Sequence, residues 1–199
     1  NQGDITILAG ETTGTLVIST QDSDVYSDSS SVTTTVSAID GGNYELVNYL
    51  GATATADISD TIDDTTVSLS GTSDITEAGG TITYTATLTN PSSGNTTVTL
   101  ANGETITIAN GQTTGTVAVV VAANEDVFNE TSSLSTNIVS ATGGNFENLV
   151  IDNTSVTTNI TDTINDVTVT LGDLNVDFGT TSGTITASLT HTPENEMTV

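Results

Sequence analysis

Thr81-Ile82-Thr83-Tyr84-Thr85-Ala86-Thr87-Leu88-Thr89 alternates threonine with an apolar residue without a break. A period of two places one set of side chains on each face of an extended chain, so this segment reads as a half-buried β-strand. Threonine and valine favour strands because a branched β-carbon packs well on a pleated surface. The same alternation predicts strands over Thr66 to Leu69, Thr96 to Leu100, Glu104 to Ile108, Thr114 to Val121, Ser133 to Ser140 and Ser155 to Ile160. No segment carries a helical period.

Turn-forming residues separate these runs: Ala78-Gly79-Gly80, Asn90-Pro91-Ser92-Ser93-Gly94, Asn102-Gly103, Asn110-Gly111 and Gly143-Gly144. Asn102-Gly103 between two alternating runs predicts a tight type I′ hairpin, whose two central residues both need positive φ. About seven short strands with regular turns predict an all-β fold, a Greek-key sandwich of immunoglobulin-like or cadherin-like type. Its inward set is Val67, Leu69, Ile82, Tyr84, Ala86, Leu88, Val98, Leu100, Ile106, Ile108, Val117, Val119, Leu134, Ile138, Val156 and Ile160. This core is aliphatic and modest, so stability is expected to be marginal without a bound partner.

The pattern is written more than once. Gly41-Gly42-Asn43-Tyr44-Glu45 returns 102 positions later as Gly143-Gly144-Asn145-Phe146-Glu147, and Asp60-Thr61-Ile62-Asp63-Asp64 returns as Asp162-Thr163-Ile164-Asn165-Asp166. The chain is therefore expected to hold the C-terminal part of one repeat (1–64), a complete repeat (65–166) and the N-terminal part of a third (167–199). Incomplete repeats expose apolar surface and open sheet edges. Flanking sequence, or a second copy joined head to tail, is expected to cover them. Tyr44 and Phe146 share a position and so a packing role, whereas Tyr49 lacks a counterpart.

Composition narrows the partners. The 199 residues include no Lys or Arg, 25 Asp plus Glu and one His, for a net charge of −25. Without cationic side chains, the carboxylates must be solvated, hydrogen-bonded to the backbone or neutralised by metal ions. Binding to nucleic acid or an anionic membrane is excluded, because both rely on the missing Lys and Arg. No apolar run approaches a membrane span and no signal peptide is visible. With no cysteine, neither disulfides nor thiolate metal sites are available. His191, the lone imidazole, aligns near Asn90 and reads as a surface loop residue; no base stands ready to activate the many serines and threonines. Catalysis is not expected.

The acids recur in four groups. The junction supplies Asp57, Asp60, Asp63 and Asp64, then Asp162 and Asp166; the loop before the sixth strand supplies Asp22 and Asp24, then Glu125 and Asp126. The Gly-Gly-Asn-aromatic turn adds Glu45 and Glu147, and the domain opening adds Asp74 and Glu77, then Asp173 and Asp177. Calcium takes six to eight hard oxygens in flexible geometry, more than any one short segment offers. Convergence of two repeat ends and their linker would supply them, which makes Ca2+ the expected cofactor.

Ile75-Thr76-Glu77-Ala78-Gly79-Gly80 running into the Thr81 strand, Thr105-Ile106-Thr107-Ile108-Ala109-Asn110-Gly111-Gln112-Thr113 and the Gly143 turn together resemble the extender repeats of giant bacterial RTX adhesins. The resemblance spans essentially the whole chain. It implies type I secretion, calcium-dependent folding outside the cell and a stalk role in adhesion and biofilm formation. It also implies junction calcium ligands at Asp60, Asp63 and Asp64, and at Asp162 and Asp166. Two positions depart from the pattern. Asn165 replaces the counterpart of Asp63, so the second junction is expected to bind more weakly or through the amide oxygen; Phe178 and Gly179 stand near the places of Glu77 and Ala78, leaving Asp177 as substitute. The Gly-Gly-x-Gly-x-Asp repeats of such adhesins are absent from these residues. The alternatives are a fibre subunit assembled by head-to-tail strand complementation and a loop-based carbohydrate- or protein-binding module.

Overall fold

The computed structural model describes residues 3–20, 23–28, 30–179 and 181–199. Among them every regular element is a strand. The first pair, β1 (Ser30–Thr35) and β2 (Thr53–Ile58), is antiparallel. Next come β3 (Asp64–Gly71), β4 (Asp74–Thr76), β5 (Gly80–Leu88), β6 (Thr96–Leu100), β7 (Thr105–Ile108) and β8 (Thr114–Val121). They are followed by β9 (Thr131–Thr136), β10 (Ile138–Gly143), β11 (Asn148–Ile151) and β12 (Val156–Thr161). A last antiparallel pair joins β13 (Val169–Leu171) to β14 (Ala187–Leu189).

Strands β3 to β12 form a β-sandwich, with one sheet in the order β11-β3-β5-β8 and the opposite side built from β10-β6-β7 and β4-β12-β9. In β5 the alternation does what its period requires: Ile82, Tyr84, Ala86 and Leu88 are buried, and Thr81, Thr83 and Thr87 face out. Across the sandwich Val98, Leu100, Ile106, Ile108 and Ile138 close the same cluster with Val67. Leu69, Val117, Val119 and Val156 pack on its edge, as expected.

Leu134 departs from the predicted core and is 42% exposed. It sits on β9, the outer strand of its sheet, with a neighbour on one side only. Ile160 is half-buried. Six residues missing from the expected set also pack on the cluster: Ile75, Val121, Ala141, Phe146, Leu149 and Ile151.

The segment Ser133 to Ser140, read as one strand, is two. Asn137 interrupts it: its carbonyl accepts Ala101 N–H at 2.9 Å and its side-chain amide donates to Ile138 O at 3.1 Å. The chain thereby leaves β12 and turns to β6. The β6–β7 hairpin also differs in detail. Gly103 has φ +89° and its N–H bonds Leu100 O at 3.0 Å, while Asn102 stays at negative φ and accepts Glu104 N–H at 3.2 Å. A three-residue loop with one left-handed glycine therefore replaces the expected type I′ turn. Strands β4 and β11 were not legible in the alternation. Both are short, and each is held by parallel pairing, β4 to β12 and β11 to β3.

On either side of the sandwich the equivalent apolar residues lie open. Ile5 and Ile7 are 54% and 56% exposed, whereas their counterparts Ile106 and Ile108 are fully buried.

Candidate functional site

The first junction is knitted from both neighbouring repeats. Asp24 Oδ1 accepts the Tyr26 N–H at 2.8 Å, a local turn that presents the ring. Val25 to Ser27 then runs antiparallel to Asn145 to Glu147: Ser27 N–H donates to Asn145 O at 2.8 Å, and Glu147 N–H donates to Val25 O at 3.0 Å. The Asn145 side chain adds a bond to Ser27 O at 3.2 Å. Tyr26 stacks on Phe146 with ring centroids 5.9 Å apart and 24° between planes, and its hydroxyl donates to Pro91 O at 2.8 Å.

Phe146 is placed by its turn. Gly143, Gly144 and Asn145 all have positive φ, and a β-carbon on Gly144 would run into the Phe146 ring and the Thr96 hydroxyl. Only glycine fits both the backbone and the space.

Around this bridge the carboxylates accept backbone and amide protons. Asp60 Oδ2 takes Asp28 N–H at 2.9 Å, Glu147 Oε2 takes Asp63 N–H at 2.6 Å, and Asp64 Oδ1 takes the Asn148 amide at 2.7 Å. The structure thus brings Asp24, Asp60, Asp63 and Asp64 to the interface between repeats. Asp57 lies on β2 opposite Ser31 and is exposed. Asp22 falls outside the described residues.

The second junction gathers a different set. Glu77 is only 6% exposed; its Oε1 accepts Thr163 N–H at 3.2 Å and the Thr163 hydroxyl at 3.0 Å. The same hydroxyl lies 2.7 Å from Glu125 Oε1. One hydroxyl proton serves only one acceptor at a time, so two carboxylates face a single donor. Asn165 bridges by its amide N–H to Glu125 Oε2 at 2.9 Å and to Asp126 O at 2.7 Å. At this position the side chain therefore acts as a donor through nitrogen. These amide and hydroxyl bonds, the one from Asn165 first, hold the Glu125 carboxyl below the ordinary glutamate range. Asp126 Oδ1 accepts Phe128 N–H at 2.7 Å, repeating the Asp24 turn.

Glu77, Asn124, Glu130, Ser132 and Asp162 line a small cavity of about 120 Å³. Asp162 Oδ1 is buried there without a hydrogen-bond partner. Asp166 and Asp177 are exposed. Among the described residues, no group of three or more His, Cys, Asp or Glu side chains is gathered closely enough to hold a metal ion.

Asp28 and Glu130 were absent from the expected acid set although they stand 102 positions apart. So do Tyr26 and Phe128. The repeat spacing was the signal available for both pairs. Tyr44, by contrast, is 74% exposed, so the packing role shared with Phe146 is seen only at Phe146.

A family model described as LapA domain matches the chain twice, over residues 1–61 and 63–163. No curated protein matches it.

Proposed function

This chain belongs to the LapA domain family, a family of large adhesins, and on that premise we propose that it is part of an extracellular stalk of immunoglobulin-like extender repeats stiffened by calcium at its junctions. The repeats are of bacterial-adhesin type, and in this reading their role is structural. In this reading they belong to an RTX-type adhesin exported by type I secretion, and they hold an adhesive region away from the cell during biofilm formation.

The observation that carries the proposal is the first junction. Backbone, ring and carboxylate groups of two successive repeats interlock there, in a chain with no cationic side chain. Carboxylates crowded at such a joint repel one another, and a divalent cation offsets that repulsion while tying both sides together. The donor chemistry suits a hard cation, while among the described residues no three such side chains are gathered closely enough to hold one. Glu77, Glu130 and Asp162 open on one cavity, Asp162 Oδ1 is buried there without a partner, and carboxylate oxygens are the donors calcium prefers. At the first junction Asp60, Asp63 and Asp64 are the corresponding candidates.

Thermal melting in chelator, in millimolar calcium and in magnesium tests the reading. A large upward shift with calcium and a small one with magnesium is expected, since a ligand that binds only the folded state raises its stability. Identical melting in all three would leave a stalk without metal. Small-angle scattering on Asp60→Ala/Asp63→Ala in calcium is expected to show a more bent particle than the parent chain.

A further inference from the structure

Asn-Gly occurs twice in the chain, at Asn102-Gly103 and Asn110-Gly111. The pair is reactive in an extended chain, because no side chain on the glycine hinders its nitrogen from attacking the preceding asparagine amide. By sequence the two pairs are equivalent. Both glycines are exposed at positive φ, and a β-carbon on either would meet nothing within 4 Å, so space does not distinguish them.

Hydrogen bonding does distinguish them. Asn110 is tied to another loop: its Oδ1 accepts Gly94 N–H at 2.8 Å, its N–H donates to Asn95 Oδ1 at 3.2 Å, and Gly111 N–H donates to Ser92 O at 2.7 Å. Ser92 is buried, with its hydroxyl 2.8 Å from Gly94 O and 2.6 Å from Thr96 Oγ1. Freeing the Gly111 nitrogen and swinging the Asn110 amide onto it therefore takes apart a loop anchored in the interior. At Asn102 the two reacting groups are held within residues 100–104: Gly103 N–H donates to Leu100 O at 3.0 Å, and Asn102 Oδ1 accepts Glu104 N–H at 3.2 Å. The bond from Asn102 N–H to Thr136 Oγ1 at 3.2 Å restrains the main chain but neither reacting group. This loop can open while β6 and β7 stay paired from Thr96–Ile108 to Thr99–Thr105.

We propose that Asn102 is a site of spontaneous deamidation in the folded protein and that Asn110 is protected from it. The Gly103 nitrogen gives its proton to hydroxide and attacks the side-chain carbonyl carbon of Asn102. The new C–N bond closes a succinimide ring as the bond from Cγ to Nδ2 breaks, and the nitrogen leaves as ammonia with a proton taken from water. Water then opens the ring at either carbonyl, leaving aspartate or isoaspartate at position 102. The product places a further carboxylate near Glu104 in a chain already at −25. In the isoaspartate form it also inserts a methylene into the main chain between β6 and β7. Those strands carry Val98, Leu100, Ile106 and Ile108 of the core, so the aged chain melts below the fresh one.

Ageing the chain in mildly alkaline buffer, followed by cleavage after glutamate and mass spectrometry of the fragments, tests this. Cleavage at Glu104 puts the two asparagines on different peptides. Asn102 is expected to react roughly tenfold faster than Asn110, because opening at Asn110 breaks further bonds to a second loop. In guanidinium chloride the two rates are expected to converge, since the protection is structural. Asn95→Ala removes one tie on Asn110 and is expected to speed its reaction while leaving Asn102 unchanged, with thermal melting to confirm that the variant folds. Equal rates in the folded parent chain, a faster reaction at Asn110, or no reaction at Asn102 in the time the denatured chain converts fully overturns the proposal.

Discussion

Gly111 and Gly144 have the same φ, +77°, but different surroundings, and replacing each with alanine separates backbone strain from ring displacement. A β-carbon at Gly111 meets nothing within 4 Å, whereas at Gly144 it enters the Phe146 ring and the Thr96 hydroxyl. Gly111→Ala therefore carries only the strain of an L residue in the left-handed region, about 1 kcal/mol. Gly144→Ala carries that strain and also expels the ring. The stack on Tyr26 contributes about 1 kcal/mol, and re-exposing a half-buried phenylalanine costs about 1 kcal/mol more. Thr96 is fully buried with its hydroxyl 2.6 Å from Ser92 Oγ, so it offers no easy way out for the new methyl group. The expected gap between the two variants is thus about 2 kcal/mol, or roughly 8–16 °C in Tm for a sandwich of this size. Thermal and urea unfolding of both variants, followed by circular dichroism, measures it. Equal losses would show that the Phe146 turn yields freely, and would refute the argument that its placement depends on the glycine.

Two further outcomes are expected. Ile106→Ala, at a fully buried site, should cost about 3 kcal/mol in urea unfolding, while Leu134→Ala at the exposed rim should cost well under half of that; similar losses would mean that the core boundary is misplaced. Glu125 bears on pH dependence. Its folded carboxyl titrates below the ordinary value because Asn165 and Thr163 donate to it. Its contribution is therefore fully present above the unfolded glutamate pKa and is lost as pH falls through the lower folded value. Between about pH 5 and pH 3, melting of the parent chain should fall more steeply than that of Glu125→Gln; parallel curves would count against the bonds to Asn165 and Thr163.

Alternation and the 102-residue repeat sufficed, from the residues alone, to establish an all-β chain, most of its core and the acids that recur at its junctions. Every residue of the buried cluster lies in the inward set read from the strand period, because a period of two records which face of a strand is apolar. It does not record which strand lies beside it. That is why Leu134 was placed inside while it stands on an outer strand, why Asn137 divides one predicted strand between two partners, and why the short strands β4 and β11 went unseen. Each of those two is held by a parallel neighbour some 85 residues away, as the bonds from Asn148 to Asp64 and from Asn159 to Asp74 show. Repeat spacing named acids but not their companions. Only the tertiary structure sets Asp63 against Glu147, places Glu77 and Glu125 on one hydroxyl, and lays Tyr26 on Phe146, 120 positions along the chain. Contacts between repeats depend on how two folded units meet, and local alternation carries no information about that meeting.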